Sequence, residues 1–297
     1  MIPLYNPFIS KKTIKYVTQC VKSSWISSKG KYVEKFEKSF SRFTKIKYST
    51  VAVNGTAALH LCLLALEIKK NDEVIVPSFT YIATVNCISY VGAKPVFIDS
   101  NYENMQISIE DLKRNINPKT KAIIVPHLYG YTCDLNELNK IRKKNKIFVV
   151  EDCAESIGTF YKKKHVGNFS DISSFSFFGS KTITTGEGGM VCTNNKKLIK
   201  KVVKYKGQGQ VQTKTKKHYW HDVVGYNYRM TNICAAIGFS QINNINKILK
   251  KKRDIFNLYY NKLFKKNLEF PKQVKDLSCS FWLVVIFLKT EKLKNKV

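Results

Sequence analysis

The amino-acid sequence predicts an α/β fold in which helices cover both faces of a mostly parallel sheet. Short, nearly continuous apolar runs alternate along the chain with segments whose apolar residues follow helical spacing. Strands buried on both faces have such continuous apolar runs, and intervening helices are typical of parallel sheets. Ligands bind to these folds at the carboxyl ends of the strands. The residues directly after each predicted strand are therefore the candidates for a functional site.

Helical spacing of apolar residues predicts eight helices. The first carries Ile14, Val17 and Val21 at intervals of three and four residues, and the second carries Phe36 and Phe40 four residues apart. The later helices follow the same pattern or are apolar throughout. The predicted ranges are 12–24, 32–43, 57–66, 82–90, 109–116, 135–144, 196–205 and 231–252.

Short apolar runs between these helices predict the strands of the sheet. A first short strand begins at Val51 and leads directly into the third helix. The later runs are rich in Val, Ile and Phe, which are common in strands. Their ranges are 74–76, 95–98, 122–125, 147–151, 174–178 and 190–193.

The C-terminal part of the sequence predicts a smaller unit. Residues 206–217 are rich in Gln, Gly and Lys and predict a mobile loop, and a strong strand is expected at residues 280–288. One strand with a Lys-rich tail does not make a stable second domain. We therefore expect a large domain over residues 1–240. Residues 241–297 are expected to form a linking helix and an incomplete small C-terminal α/β domain.

The composition indicates a globular protein with a full core. The chain has 297 residues, of which 44% are hydrophobic. It contains no apolar run of about 18 residues and no secretion signal at its start, so we expect a cytoplasmic protein without a membrane span. Eight scattered cysteines indicate free thiols, and the five histidines show no metal-binding spacing. No metal is expected.

The formal net charge of +30 raises the question of nucleic-acid binding. Only five of the 51 basic residues are arginine, and the remaining 46 are lysines spread over predicted helices and loops. Proteins that read nucleic acid favour Arg for bidentate contacts. A nucleic-acid partner is therefore disfavoured, although it stays open as an alternative function. A positive field attracts anionic small molecules, including nucleotide sugars.

One lysine stands out because of the residues around it. The stretch from Ser174 to Met190 alternates Ser with Phe, then presents Lys181, and then continues with Thr and Gly residues. A predicted strand thus delivers Ser176 and Lys181 to a tight turn. A lysine amine held among aromatic residues and hydroxyls can bind a carbonyl group. The alternative is an ordinary surface lysine in a hairpin loop.

Three other predicted strand ends also carry polar or aromatic residues. The helix that follows Asn54 begins with Gly55 and Thr56, and free N–H groups at such a start bind phosphate, unless the segment is only an N-cap. Asp152 ends a buried strand and could face a protonated ring nitrogen, or it could cap a helix. Tyr81 could stack on a flat ring, or it could belong to the core.

These four features together fit one cofactor. A phosphate cradle, a stacking aromatic ring, a carboxylate for a ring nitrogen and an aldehyde-binding lysine are the groups that pyridoxal 5′-phosphate needs. The sequence therefore predicts a site for this cofactor at the carboxyl edge of the sheet.

Six motifs resemble those of the DegT/DnrJ/EryC1/StrS sugar aminotransferases, in the order found in that family. The resemblance covers about residues 1–250 and implies the type I aminotransferase fold. The motifs are Trp25-Ile-Ser-Ser-Lys-Gly30, Asn54-Gly-Thr-Ala-Ala-Leu59, Pro77-Ser-Phe-Thr-Tyr-Ile-Ala83, Glu151-Asp-Cys-Ala-Glu-Ser156, Phe177-Phe-Gly-Ser-Lys-Thr-Ile-Thr-Thr-Gly-Glu-Gly-Gly189 and Gly225-Tyr-Asn-Tyr-Arg-Met230.

The resemblance implies a role for each matching residue. Lys181 matches the catalytic lysine that holds the cofactor covalently, and Asp152 matches the partner of its ring nitrogen. Glu155 matches a residue beside the ring. The other implied cofactor contacts are Gly55, Thr56, Ala57, Tyr81 and Ser176, with Asn227 contributed by a second subunit of a homodimer. The expected contacts to the sugar nucleotide are Ser27, Lys29, His127 and Arg229.

The resemblance also implies a reaction. Within the family the sequence looks most like perosamine and viosamine synthases, which aminate C4 of a nucleotide-linked 4-keto-6-deoxy sugar with glutamate as the usual donor. Related dehydratases carry His in place of the lysine, so Lys181 favours transamination. The alternative is an inactive or binding-only relative, because family members usually extend several tens of residues further.

Overall fold

A seven-stranded sheet forms the centre of the fold in the computed structural model, which describes residues 5–211, 220–263 and 268–294. The strands of the described residues are β1 (Tyr48–Ala52), β2 (Glu73–Pro77), β3 (Lys94–Ile98), β4 (Thr120–Pro126), β5 (Phe148–Asp152), β6 (Phe160–Tyr161), β7 (Lys164–His165), β8 (Ile172–Ser176), β9 (Gly189–Thr193) and β10 (Leu277–Ser278). The order in the large sheet is β1-β9-β8-β5-β4-β2-β3.

The large sheet is parallel except at one edge. The pairs β2–β3, β2–β4, β4–β5 and β5–β8 are parallel, whereas β9 is antiparallel to both of its neighbours, β8 and β1. The carboxyl ends of four neighbouring strands, β2, β4, β5 and β8, therefore meet at one edge. The expected α/β class with a mostly parallel sheet is confirmed.

Helices cover both faces of this sheet. Their bounds are α1 (Lys11–Lys22), α2 (Lys31–Thr44), α3 (Gly55–Ala65), α4 (Ile82–Tyr90), α5 (Ile109–Asn115), α6 (Leu135–Asn145), α7 (Lys196–Lys206), α8 (Asn232–Ile242), α9 (Ile245–Leu263) and α10 (Glu291–Lys294). Six of them start at a side chain that accepts a hydrogen bond from the first turn. These N-cap residues are Ser10, Asn54, Ser108, Asp134, Asn195 and Thr231.

Two hydrophobic clusters lie on opposite faces of the sheet because successive strand residues point in opposite directions. Along β4, Ile123 and Val125 join the cluster with α2, α5, α6 and α8, while Ala122 and Ile124 join the cluster with α3, α4 and α7. Each strand is therefore buried on both sides. This explains the continuous apolar runs in the sequence.

An aromatic group holds the end of β8 in place. The ring of Phe36 in α2 lies 5.0 Å from that of Phe177, and the ring of Phe40 lies 4.9 Å from that of Phe175. All four side chains are fully buried. The turn that carries Lys181 thus leaves the sheet from a rigid support.

The predicted helix at residues 231–252 is wrong as a single element. The structure has two helices, α8 and α9, which are separated at Asn243 and Asn244. The side chain of Asn244 donates a hydrogen bond to the carbonyl oxygen of Ser240 at 2.8 Å. Asn side chains compete in this way with helical hydrogen bonds, which favours an end to the helix.

The predicted strand at residues 280–288 is also wrong. In the described part of the chain this segment makes only an isolated bridge between Phe287 and Glu269, and the nearby strand β10 pairs with β6. The sequence pattern is that of a strand, but among the residues that the structure describes no strand pairs with this segment. One residue of the segment, Trp282, lines the cavity described below.

The predicted loop at residues 206–217 is only partly described, because residues 212–217 lie outside the described ranges. Lys206 belongs to α7 and is buried, and its amine donates hydrogen bonds to the Thr50 hydroxyl and the Val51 carbonyl.

All eight cysteines are free, and seven are buried. Within the described ranges, no helix is both long and apolar enough to cross a membrane. The division at residue 240 stays a prediction.

A buried histidine couples the stability of this fold to pH. The Gly158 N–H donates to Nε2 of His165 at 2.9 Å, so that this nitrogen is unprotonated, and Nδ1 contacts the carbonyl oxygen of Val166. Burial lowers the pKa of His165 to about 4. The unfolded chain takes up this proton at a higher pH, so stability is lost as pH falls from the unfolded pKa toward the folded pKa.

Between pH 7 and pH 4, we expect the free energy of unfolding of the unmodified chain to fall more than that of His165→Gln, by roughly 3 kcal/mol. The difference should grow by about 1.4 kcal/mol per pH unit between the unfolded and the folded pKa of His165. Denaturant titrations at several pH values measure this difference. His221→Gln, at an exposed histidine, serves as the matched control for the loss of an imidazole side chain. Parallel curves for the unmodified chain and His165→Gln would contradict the prediction.

Candidate active site

A cavity of about 340 Å³ lies at the carboxyl edge of the sheet. This volume is within the usual range of small-molecule sites, roughly 300–1,000 Å³. The residues that follow β2, β4, β5 and β8 contribute to its walls, together with the start of α3. Eight predicted site residues line this one cavity: Gly55, Thr56, Tyr81, His127, Asp152, Glu155, Ser176 and Lys181.

Lys181 presents its amine to this cavity rather than to solvent. Its side chain is only 14% exposed, and Nζ lies 3.2 Å from Oε1 of Glu155. The same Nζ lies 4.0 Å from the ring centroid of Trp282, over the indole face. The turn is so tight that a Cβ atom on Gly188 would lie 2.1 Å from the Thr185 hydroxyl oxygen, so glycine is needed there. The alternative of a surface hairpin lysine is therefore wrong.

Glu155 connects Lys181 to a second turn of the cavity wall. Its Oε2 accepts a hydrogen bond from the Tyr129 N–H at 2.9 Å, while Oε1 faces the Lys181 amine. Burial raises the pKa of Glu155 above its usual value, and the Lys181 charge and the Tyr129 N–H only partly oppose this effect. The carboxyl group thus ties the Lys181 side chain to the Tyr129 backbone across the cavity wall.

Asp152 ends β5 with a buried carboxylate. Oδ2 accepts a hydrogen bond from the Thr84 hydroxyl at 2.8 Å, and Oδ1 accepts one from the Ala154 N–H at 3.1 Å. The segment after Asp152 is a turn and not a helix, so the helix-capping alternative is wrong. Two donors fix the carboxylate on the cavity wall, where its charge can stabilise a cation.

The start of α3 forms an anion-binding end of the cavity. The Asn54 side chain accepts the Ala57 N–H at 2.8 Å, and the Asn54 carbonyl accepts the Ala58 N–H at 3.1 Å. The N–H groups of Gly55 and Thr56 precede the helical hydrogen-bonding pattern and so are the ones available to a ligand. Asn54 is thus an N-cap of α3. The N–H of Ala57 already donates to the Asn54 side chain, so it is not available to a phosphate.

Ser176 closes this end of the cavity against Gly55. A Cβ atom on Gly55 would lie 2.8 Å from the Ser176 Cβ and 3.0 Å from its hydroxyl oxygen. Because contacts this short would force Ser176 to move, only glycine fits at residue 55 without a change in its surroundings. The backbone of α3 and the Ser176 hydroxyl therefore lie side by side, as a phosphate cradle requires.

Tyr81 lies at the open edge of the cavity. It precedes α4 and is 71% exposed. The core alternative is therefore wrong, and the ring is free to stack on a flat ligand. Phe178, which is half exposed, also lines the cavity.

His127 belongs to the cavity wall, but its ring is committed to a buried network. Nε2 lies 2.9 Å from Oε1 of Glu151, which also accepts the Gly167 N–H, and Oε2 of Glu151 accepts the Phe169 N–H. Burial raises the pKa of Glu151, but the hydrogen bonds outweigh it and hold the pKa below its usual value. The side chain of His127 has no exposed surface. Its contact with a substrate stays a prediction.

His127, Glu151 and Cys153 place possible metal ligands within 4.8 Å of one another. Both Glu151 oxygens, however, already accept hydrogen bonds, from the N–H groups of Gly167 and Phe169. This group therefore fits a hydrogen-bond network and not a metal site.

The other predicted contacts do not line the cavity of their own chain. Ser27 and Lys29 lie in an exposed loop, in which the Ser27 carbonyl accepts the Asn232 N–H at 2.6 Å. Asn227 and Arg229 are exposed and bond to each other, with the Arg229 guanidinium 3.2 Å from the Asn227 side-chain oxygen. Their roles toward the cofactor and the substrate stay predictions.

The structure also reveals two site residues that the sequence did not indicate. Thr84 orients Asp152, and Trp282 covers Lys181. Thr84 lies in α4, three residues after Tyr81, and residues three apart share one face of a helix. This spacing could have predicted that Thr84 faces the cavity with Tyr81. Trp282 had none, because it comes from a distant segment without regular structure.

The groups around the cavity fit pyridoxal phosphate. Lys181 would hold the aldehyde carbon, Asp152 the ring nitrogen, and the N–H groups of α3 with Ser176 the phosphate. The missing side chain at Gly55 provides the room that the phosphate needs.

Comparison with known proteins supports pyridoxal phosphate as the cofactor. The profile of the DegT/DnrJ/EryC1/StrS aminotransferase family matches residues 7–297. The chain is 49% identical to GDP-perosamine synthase of Escherichia coli O157:H7, with 99% of this chain and 81% of the relative covered. It is 48% identical to GDP-perosamine synthase of Vibrio cholerae, with 98% and 78% covered.

A solved structure shares the fold over nearly the whole chain. The putative sugar aminotransferase Spr1654 of Streptococcus pneumoniae, in its PLP form, superimposes with a TM-score of 0.91 at 28% identity. The superposition covers 97% of this chain and 78% of that one. The chain belongs to the DegT/DnrJ/EryC1/StrS aminotransferase family and is a pyridoxal-phosphate-dependent sugar aminotransferase.

Proposed function

We propose that this enzyme transfers an amino group from L-glutamate to C4 of a nucleotide-linked 4-keto-6-deoxy sugar and forms a perosamine- or viosamine-type product. The Lys181 amine, enclosed with Asp152 in one cavity, is the observation that carries the proposal. The relatives named GDP-perosamine synthase support this substrate class. The alternative of an inactive or binding-only relative has no support in these comparisons.

Lys181 moves the proton in this reaction. Bound pyridoxal phosphate supplies the electron sink that lets an amino group pass between two carbonyl carbons. The Lys181 amine holds the cofactor and then acts as base and acid at the carbon that exchanges its amino group. Glu155, 3.2 Å from the amine, keeps it on the cavity side of the turn.

Asp152 keeps a proton on the cofactor's ring nitrogen. A close carboxylate favours the protonated nitrogen, which improves the ring as an electron acceptor. The hydrogen bond from Thr84 fixes the orientation of the carboxylate, which would therefore be preorganised to face the ring nitrogen of the bound cofactor.

The anionic parts of the ligands have two separate sources of attraction. The N-terminus of α3 and Ser176 bind the cofactor phosphate, and the net charge of +30 attracts the nucleotide diphosphate. We infer a homodimer in which Asn227, which is exposed on its own chain, reaches the neighbouring site. The nucleotide is GDP, UDP or dTDP.

The proposed reaction predicts the transfer of nitrogen from glutamate to the sugar. Incubation of the chain with cofactor, ¹⁵N-glutamate and GDP-, UDP- or dTDP-linked 4-keto-6-deoxy sugars should give a ¹⁵N-labelled amino sugar with one of the nucleotides, detected by mass spectrometry. Lys181→Ala should abolish the transfer because the base is lost, whereas Lys201→Ala, at a half-buried lysine of α7 that does not line the cavity, should not. Absence of label from every sugar would refute the proposal.

Gly55→Ala should weaken binding of the cofactor phosphate, because its Cβ meets Ser176 at 2.8 Å. We expect the Kd for pyridoxal phosphate to rise on the order of tenfold, about 1.4 kcal/mol. The Kd for pyridoxal, which lacks the phosphate, should change little. Equilibrium titration of the cofactor-free chain measures both constants.

Ser176→Gly provides the matched background for this test. It removes the atom that a Cβ at residue 55 would meet, so Gly55→Ala should cost less in that background than alone. An equal effect of Gly55→Ala on pyridoxal and pyridoxal phosphate would show that the substitution does not act through the phosphate cradle.

A further inference from the structure

Trp282 is held firmly in the cavity wall. Its indole Nε1–H donates to the Ser180 carbonyl at 2.8 Å, and its backbone N–H donates to the Tyr129 carbonyl at 3.2 Å. The Lys252 amine donates to the Trp282 carbonyl at 3.0 Å. The ring also stacks on that of Tyr129, with centroids 6.0 Å apart and planes 14° apart. These contacts fix the orientation of the indole.

The indole lies directly beside the reacting position. Its ring centroid is 4.0 Å from the Lys181 Nζ, and a substrate carbon must approach this amine to exchange a proton with it. A substrate bound for reaction therefore comes within van der Waals reach of Trp282.

The chemistry of the indole face favours one of the two substrates. The polar parts of the cavity wall, which are the start of α3, Ser176 and Asp152, are assigned to the cofactor. The indole offers a flat apolar surface with a negative face, which repels carboxylates such as those of glutamate. The C–H groups and the methyl group of a 6-deoxy sugar ring pack well on such a surface.

We propose that Trp282 determines specificity for the acceptor by packing its indole face against the sugar ring, an inference that rests on the proposed function. Trp282 then contributes to the half-reaction that aminates the sugar. The half-reaction with glutamate gains little from it.

Trp282→Leu and Trp282→Phe separate this role from a structural one. For Trp282→Leu we expect kcat/KM for the 4-keto sugar nucleotide to fall on the order of tenfold. The rate of the glutamate half-reaction, followed by the cofactor absorbance, should change less than about twofold. Trp282→Phe keeps an aromatic face and should retain most of the sugar activity. Trp220→Leu, at a tryptophan that is 66% exposed, is the matched control.

A binding measurement provides a readout that does not depend on turnover. In the cofactor-loaded Trp25→Phe/Trp220→Phe chain, Trp282 is the remaining tryptophan. A nucleotide-linked 6-deoxyhexose without a keto group should change its fluorescence, whereas the free nucleotide should not.

Equal losses in both half-reactions of Trp282→Leu, or a fluorescence change with the free nucleotide alone, would overturn the inference. If the unmodified enzyme does not aminate any 4-keto sugar, the proposed function fails. If it does so and Trp282→Leu is equally active, only the role of Trp282 fails.

Discussion

The buried ion pair between Lys181 and Glu155 is the contact on which the arrangement of the site depends. It joins the turn after β8 to the turn after β5, and the second oxygen of Glu155 binds the Tyr129 N–H in the turn after β4. Loss of one partner would leave a buried charge without compensation, which costs several kcal/mol. Three segments that are distant in sequence are thus held together by one carboxylate.

The rest of the fold presents this ion pair at a defined place. Residues of the parallel strands alternate between two hydrophobic clusters, so the sheet is rigid on both faces and its carboxyl ends form a fixed edge. The rings of Phe36 and Phe177 support the strand end that leads to Lys181. The site therefore combines rigid strand ends with short turns, and a cofactor requires such a preorganised set of groups.

The sequence predicted those parts of the site that depend on local pattern. Asp152, Ser176 and Lys181 follow strands, and the carboxyl ends of neighbouring parallel strands meet in space, so their proximity could be inferred without a structure. Gly55 could be inferred for a similar reason, since a helix start after a strand binds phosphate. The element bounds differ from those predicted by only one to three residues in most cases.

Features that depend on contacts between distant segments could not be inferred. Trp282 reaches Lys181 from a stretch whose pattern predicts a strand, although no strand of residues 5–211, 220–263 and 268–294 pairs with it. The break between α8 and α9 depends on one side-chain hydrogen bond of Asn244. The contribution of Asn227 depends on a second chain and stays a prediction.

Borohydride reduction of the cofactor-loaded enzyme, followed by peptide mapping, tests the central claim most directly: that the amine of Lys181, and no other amine among the 46 lysines, binds the cofactor. Mass spectrometry of the digested protein should find the reduced cofactor on the peptide that contains Lys181 and on no other peptide. Attachment at a different lysine, or no covalent attachment in an enzyme that binds the cofactor, would contradict the account.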